Sequence, residues 1–206
     1  MSARSQRLSA AARRAQLIDV GRAVFAKRGY EAASLEEIAD RAKVSRPVLY
    51  EHFGGKEGLY AVIVDREMEY LVRRITEAIT SGTPRERVEQ AALAFLTYVR
   101  DQPDGFGILT RDTPVGTRGK MSSLLSELAE RVGDQFAMAF KNAGYDPKSA
   151  PIYAHALIGM VTFVGQWWID IHKPSVDEVA SHIAALAWKG LRHLPKRPAR
   201  IAAPKR

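Results

Sequence analysis

Apolar positions recur at helical spacing almost from end to end of the chain, and no stretch shows the two-residue alternation of a strand. Leu17, Ile18, Gly21, Val24 and Phe25 share one face of a first helix predicted over residues 10–28. Gly29 ends it, because glycine accepts the left-handed conformation that a helix terminus favours. Ser34-Leu35-Glu36-Glu37 has capping-box spacing, with Ser34 as N-cap and Glu37 at the third helical position. The helix it opens carries Ile38, Ala39 and Ala42 and stops near Lys43. Ser45 is the cap expected for a third, short helix with Arg46 and Pro47 in its first turn, ending at Phe53 before Gly54-Gly55. Two short helices three or four residues apart, behind a longer one, make a three-helix helix-turn-helix unit.

The pattern then restarts as a long helix over about 56–81. Thr83-Pro84-Arg85-Glu86 is a second capping box, opening a helix to about residue 101. A turn-rich stretch, 102–119, is predicted to hold one short helix around 106–111. Helices over 122–143, 151–171 and from a third capping box at Ser175–Glu178 to about residue 191 complete the list. The fold class is all-α: a helix-turn-helix domain over residues 1–55, a helical body over 56–193, and a proline-rich, basic, disordered tail over 194–206.

Composition sharpens this picture in three places. The 206 residues contain no cysteine, which excludes disulfides, thiolate metal sites and a catalytic thiol. The basic N-terminus lacks the apolar stretch of a signal peptide, and the run 154–169, broken by His155, Thr162 and Gln166, is shorter than the ~20 residues a membrane span needs. A cytoplasmic protein without a membrane role is the expectation. The formal charge of +8 is unevenly divided. Residues 1–60 carry 11 Lys and Arg against 7 Asp and Glu, residues 61–188 carry 13 against 16, and residues 189–206 carry 7 against none. Basic ends on a mildly acidic body suit a polyanion partner, since phosphate neutralisation drives such affinity, and a pair of solvated tails reads the same way.

The segment from Gly29 to Tyr60 carries the chemistry. Leu49 and Phe53, four apart on the third helix, can pack inward against Ile38, Ala39 and Val44, while Arg46 and Tyr50 point the other way with Pro47 between them. One buried edge and one edge of reaching polar groups suit a helix to the major groove. Ser34, Tyr50, His52 and Lys56 supply donors for phosphates, and Ser45 opens the helix. Arg46 is the candidate for guanine, and Pro47 or Val48 for a thymine methyl. Lys56 at a helix start opposes the helix dipole, which a phosphate would relieve.

Ser34, Ile38-Ala39, Val44-Ser45, Leu49-Tyr50-Glu51-His52-Phe53 and Lys56-Glu57-Gly58-Leu59, with Phe25 and Gly29-Tyr30 upstream, resemble the N-terminal domain of the TetR (tetracycline repressor) family over roughly fifty residues. One departure is Lys43, where that family usually has glycine in the turn; a positive φ there costs about 1 kcal/mol. The resemblance implies a ligand-responsive transcriptional regulator, a repressor by preference, that binds a palindromic operator in double-stranded DNA as a homodimer. It implies dimerisation through the last two helices. The sequence offers the apolar helix 154–169 and the stripe Val176, Val179, Ala180, Ile183, Ala184, Ala187 and Leu191 for that role; the alternative is that both merely fill a monomer core. The resemblance also implies a small-molecule pocket in the body, for which Phe95, Tyr98, Phe106, Leu109, Met121, Phe136, His155, Phe163 and Trp167 are the inward-facing candidates. Some family members with a similar third helix and a tryptophan-rich late segment, here Trp167-Trp168 and Trp188, respond to fatty acyl compounds, which points to a lipid or acyl effector.

Against an enzyme, residues 115–121 (VGTRGKM) only faintly resemble a phosphate loop: Pro114 stands where glycine belongs and Met121 replaces the magnesium-holding hydroxyl. The five histidines show no metal-ligand spacing, and no cofactor or metal is expected. The competing class is a DNA-binding or architectural protein that takes no small-molecule ligand.

Overall fold

The computed structural model describes residues 8–110 and 118–196, with only the backbone given for 118–128 and 131. The described residues form nine α-helices and one 3₁₀ turn, and no strand. They are α1 (Ala10–Ala32), α2 (Leu35–Ala42), α3 (Arg46–Phe53), α4 (Lys56–Ala78), α5 (Pro84–Asp101), α6 (Pro103–Thr110), α7 (Arg118–Ala143), the 3₁₀ turn Pro147–Ser149, α8 (Ala150–Ile171) and α9 (Val176–Arg192).

The caps show how local chemistry sets these boundaries. Ser34 Oγ accepts from Glu37 N at 3.1 Å, Thr83 Oγ1 from Glu86 N at 3.3 Å, and Ser175 Oγ from Glu178 N at 3.3 Å. Only the second box is reciprocal: Thr83 N donates to the Glu86 carboxylate at 2.7 Å. Hydrogen bonds to the carboxylate from Thr83, its backbone N–H first and its side-chain hydroxyl second, hold the Glu86 carboxyl below its ordinary pKa. Its help to α5 is complete above the ordinary glutamate value and is lost as the pH falls through the lowered one. Ser45 occupies the N-cap position of α3 but makes no side-chain cap bond, contrary to expectation. The reason is Pro47 at the second helical position, which lacks one of the two N–H groups a cap bonds, while Val48 N, the other, bonds Ser45 O at 3.1 Å. Gly29 leaves helical geometry at φ 74°, but α1 resumes to Ala32, so Gly29 kinks the helix rather than ending it. α6 begins at Pro103, earlier than the spacing of 106–111 predicts, and α7 begins at Arg118 rather than 122.

The described residues divide into two compact units, one falling within 1–71 with 101–121 and the other within 72–100 with 122–206. In the first, Leu17, Val24 and Phe25 of α1, Ile38 of α2, Leu49 of α3 and Leu59 and Ile63 of α4 are essentially sealed from solvent. α6 packs on α1, and Arg22 of α1 ties both neighbours down: it ion-pairs with Glu67 of α4 at 2.7 Å and donates to Gln102 at 2.7 Å. Phe25, Tyr30 and Tyr60 form a cluster of ring contacts at 4.9–5.9 Å.

In the second unit, Phe95, Leu96, Tyr98 and Val99 of α5 are buried, as are Ala154, Thr162, Gly165 and Trp168 of α8. The α9 stripe Val176, Val179, Ala180, Ile183, Ala184 and Ala187 is buried within the protomer, so this part of the expected pairing surface is already spent on its own core. Leu191 is half-buried. The opposite edges are open: Ile152, Phe163, Trp167 and Ile171 on α8 are 48–75% exposed, and Leu186 on α9 is 66% exposed. The helical stretch Pro147–Ile171 is longer than the run 154–169, and by length and composition it could cross a membrane, against the sequence expectation. Its two faces differ, however, with one packed and one bare.

The tail expected to be disordered lies outside the described residues from 197 onward, while the Leu194 carbonyl accepts from the Tyr145 hydroxyl at 3.2 Å. The phosphate-loop-like stretch falls largely outside them as well.

Candidate nucleic-acid interface

α2 and α3 are joined by Lys43, Val44 and Ser45. Lys43 adopts φ 54°, the left-handed conformation that the missing glycine would have taken without strain. The turn is closed by Lys43 N to Asp40 O at 3.2 Å and Val44 N to Ala39 O at 3.0 Å. At the far end of α3, the chain turns so tightly into α4 that a Cβ on Gly58 would lie 1.9 Å from Phe53 O. The glycine of Lys56-Glu57-Gly58-Leu59 is therefore required by close approach of the backbone.

α3 has one fully buried side chain, Leu49. Phe53, expected beside it in the core, is half-buried and carries the Arg14 guanidinium over its ring at 4.9 Å. The outer edge presents Arg46, Pro47 and Tyr50, all exposed, with Val48 half-buried behind them. Arg46 Nη2 donates to Tyr50 Oη at 3.3 Å, and the guanidinium lies 5.6 Å from the Tyr50 ring centroid. Arg46 Nη1 also meets the Glu36 carboxylate of α2. The Tyr50 hydroxyl first, and Glu36 second, push the arginine pKa still higher, so this group stays a cation.

The remaining predicted residues flank that edge with different degrees of freedom. Ser34 is half-buried, and its oxygen serves Glu37 N while its O–H remains a donor. Ser45 is exposed with its hydroxyl free of the cap, and His52 is half-buried beside Phe53. Lys56 is the exception. Its ammonium donates to Glu31 O at 3.1 Å and lies 4.5 Å over the Tyr30 ring, so α1 supplies the relief that a phosphate was expected to supply. Sequence spacing missed Glu36 and Arg14, which reach α3 from two other helices. The acid at the second position of α2 was visible, but nothing local says which cation it meets.

The effector candidates are not gathered into one site. Phe95, Tyr98, Phe106 and Leu109 are buried and Phe136 is half-buried, while the side chain of Met121 lies outside the described residues. His155, Phe163 and Trp167, expected to face inward, are exposed on the outer edge of α8. An all-round apolar helix does not reveal which of its faces the protomer covers. Two cavities, one of ≈ 220 Å³ beside Phe25, Tyr30 and Tyr60 and one of ≈ 640 Å³ beside Phe140, Tyr145 and Tyr153, are lined by none of the nine.

A short helix with a buried inner edge and an exposed, cationic and hydrogen-bonding outer edge, turned from a capped partner helix, defines a helix-turn-helix DNA-binding protein. Comparison with known proteins then places it. Residues 17–63 match the family described as bacterial regulatory proteins, tetR family, and residues 84–190 match the tetracyclin repressor-like C-terminal domain. The HTH-type transcriptional activator FasR of Mycolicibacterium smegmatis is 31% identical over 195 residues, covering 93% of this chain and 89% of that protein. A TetR-like transcriptional regulator from Rhodococcus sp. RHA1 superposes with a TM-score of 0.75 at 27% identity, over 91% of this chain and 100% of that one. The fatty acid degradation regulator FadR of Bacillus halodurans shares the fold at a TM-score of 0.75 and 18% identity, over 88% and 97% of the two chains. The chain belongs to the TetR family and is a transcriptional regulator, not an enzyme.

Proposed function

We propose that this regulator binds a palindromic operator as a homodimer and is released from it by a small apolar effector. The reading assigns residues 1–55 to the DNA-reading head, 56–193 to the effector-binding and dimerising body and 194–206 to a basic tail, and puts the protein beside chromosomal DNA in the cytoplasm. The observation that carries it is the outer edge of α3, where Arg46, Pro47 and Tyr50 stand exposed over the buried Leu49. Arg46 reads a guanine and Pro47 or Val48 a thymine methyl, while Ser34, Ser45, Tyr50 and His52 contact phosphate or sugar. Lys56 is retained as a weaker phosphate contact, because its ammonium already has the Glu31 carbonyl and the Tyr30 ring as partners and has less to gain from a phosphate.

Dimerisation is supported by the bare apolar edge of α8 with Leu186 of α9, a surface too apolar to be left to water. A second copy brings the same edge, as two-fold symmetry requires, and sets two α3 helices in successive major grooves. The effector pocket rests on the family resemblance, and the apolar character of the candidates that are buried suits an acyl chain. FadR, which shares the fold, is named for fatty acid degradation. Repression is the simplest outcome of an operator-bound dimer; the relative matched along most of its length is named an activator, and operator position relative to the promoter decides the sign.

Binding-site selection from a random duplex pool tests the DNA reading. An enriched palindrome with half-sites about one helical turn apart is the expected product; no enrichment overturns it. Fatty acids and acyl thioesters of increasing chain length then test the effector. Linkage requires that saturating operator weaken the effector by the same factor by which the effector weakens operator binding. Equal effector affinity with and without operator would leave a DNA-binding protein that no ligand regulates.

A further inference from the structure

We infer that Glu36 is a positioning residue for sequence readout, holding Arg46 in the orientation a base edge requires and keeping its guanidinium off the phosphate backbone. The inference rests on the DNA-binding reading of α3 above and adds to it a residue from another helix.

The geometry is specific. Arg46 is the first residue of α3, where the helix dipole opposes a cation, and Glu36 lies in the first turn of α2, where the dipole favours an anion. Arg46 Nη1 meets Glu36 Oε1, and Nη2 donates to Tyr50 Oη at 3.3 Å, with the guanidinium 5.6 Å from the Tyr50 ring. Two terminal nitrogens are thus held by groups from two helices. The remaining N–H donors of the fork are left for an acceptor pair such as guanine O6 and N7. An arginine held this way has lost its rotamer freedom before DNA arrives, so less is lost on binding.

The neighbouring acid shows that this is not a general property of the α2 terminus. Glu37 turns to the head itself, meeting Arg41 at 2.7 Å and Arg28 at 3.6 Å, while its N–H is capped by Ser34. Glu36 is the acid that faces the reading edge, and both members of its pair are about half exposed.

In solvent such a pair contributes little to stability. Against DNA its effect has two opposite signs. The carboxylate repels phosphates and lowers affinity for every sequence, while the guanidinium it orients favours one base pair. Without Glu36, Arg46 is free to swing to the nearest phosphate, which attracts it regardless of sequence.

The test uses the full chain and its Glu36→Gln variant, with two equal-length duplexes at one salt concentration. One is selected by the wild-type protein from a random pool, and the other is its scrambled counterpart. The expected result is affinity for the scrambled duplex that is unchanged or a few-fold higher, with the selected-to-scrambled ratio reduced about tenfold. The loss should fall at the one base pair per half-site that Arg46→Ala also relaxes, and Glu36→Gln should add nothing in the Arg46→Ala background. An unchanged ratio overturns the inference, and so does an equal loss on both duplexes, which would mark a purely structural role. A wild-type protein that does not distinguish the duplexes at all would remove the base-reading role of α3 itself, and this inference with it.

Discussion

Helices α3 and α8 each turn one edge to the core and one outward, and the outward edges differ in kind. α3 buries Leu49 and presents Arg46, Pro47 and Tyr50; α8 buries Ala154, Thr162, Gly165 and Trp168 and presents Ile152, Phe163, Trp167 and Ile171. Water solvates the first set well, so its exposure is stable and awaits a charged partner. The second set gains from leaving water, by roughly 25 cal/mol per Å² of apolar surface covered. The two surfaces therefore answer to different conditions. Phosphate contacts weaken as salt rises, whereas an apolar interface is nearly indifferent to it.

Four substitutions break or sharpen that contrast. Leu49→Ala truncates the one fully buried side chain of α3 and should destabilise the protein by about 3 kcal/mol, read by denaturant unfolding. Loss of operator binding with the dimer intact would show that the two edges are separately supported. Phe163→Glu should raise the dimer dissociation constant at least ~100-fold, about 2.7 kcal/mol, because a carboxylate would be buried without a partner. Phe163 is 75% exposed, so the protomer itself should keep its melting temperature. A sedimentation profile that stays dimeric would place the interface elsewhere. Gly159 offers a second probe on the same edge, since a Cβ there meets nothing within 4 Å, whereas Ala184 is buried in the protomer and tests only its core.

Tyr50→Ala should weaken random duplex by about 1–2 kcal/mol in a mobility-shift assay, through the lost phosphate contact, and operator by somewhat more, because the Tyr50 hydroxyl also holds Arg46. A loss confined to the operator would instead make Tyr50 a partner in base readout through Arg46. The smallest effect is a gain. Lys43→Gly should stabilise the head by somewhat under 1 kcal/mol, because the turn already sits at φ 54°. Melting that is unchanged or lower would mean that the lysine side chain repays its backbone strain.

What the sequence by itself determined about this protein is local. Helical period, the capping pairs at Ser34, Thr83 and Ser175 and the left-handed turn at Lys43 each depend on residues within a few positions of one another. The chain's own backbone geometry brings such residues together in any context. The same locality explains why Leu49 on the inner edge and Arg46 and Tyr50 on the outer edge were legible four residues apart. Only the tertiary structure decided the rest. It handed Lys56 to Glu31 and Tyr30, put Arg14 on Phe53, and paired Glu36 rather than Glu37 with Arg46. It also spent the α9 stripe on the protomer's core and turned His155, Phe163 and Trp167 outward. The physical reason is common to all of these: burial and ion pairing are properties of whichever neighbour arrives, and that neighbour comes from another helix whose approach no local spacing encodes.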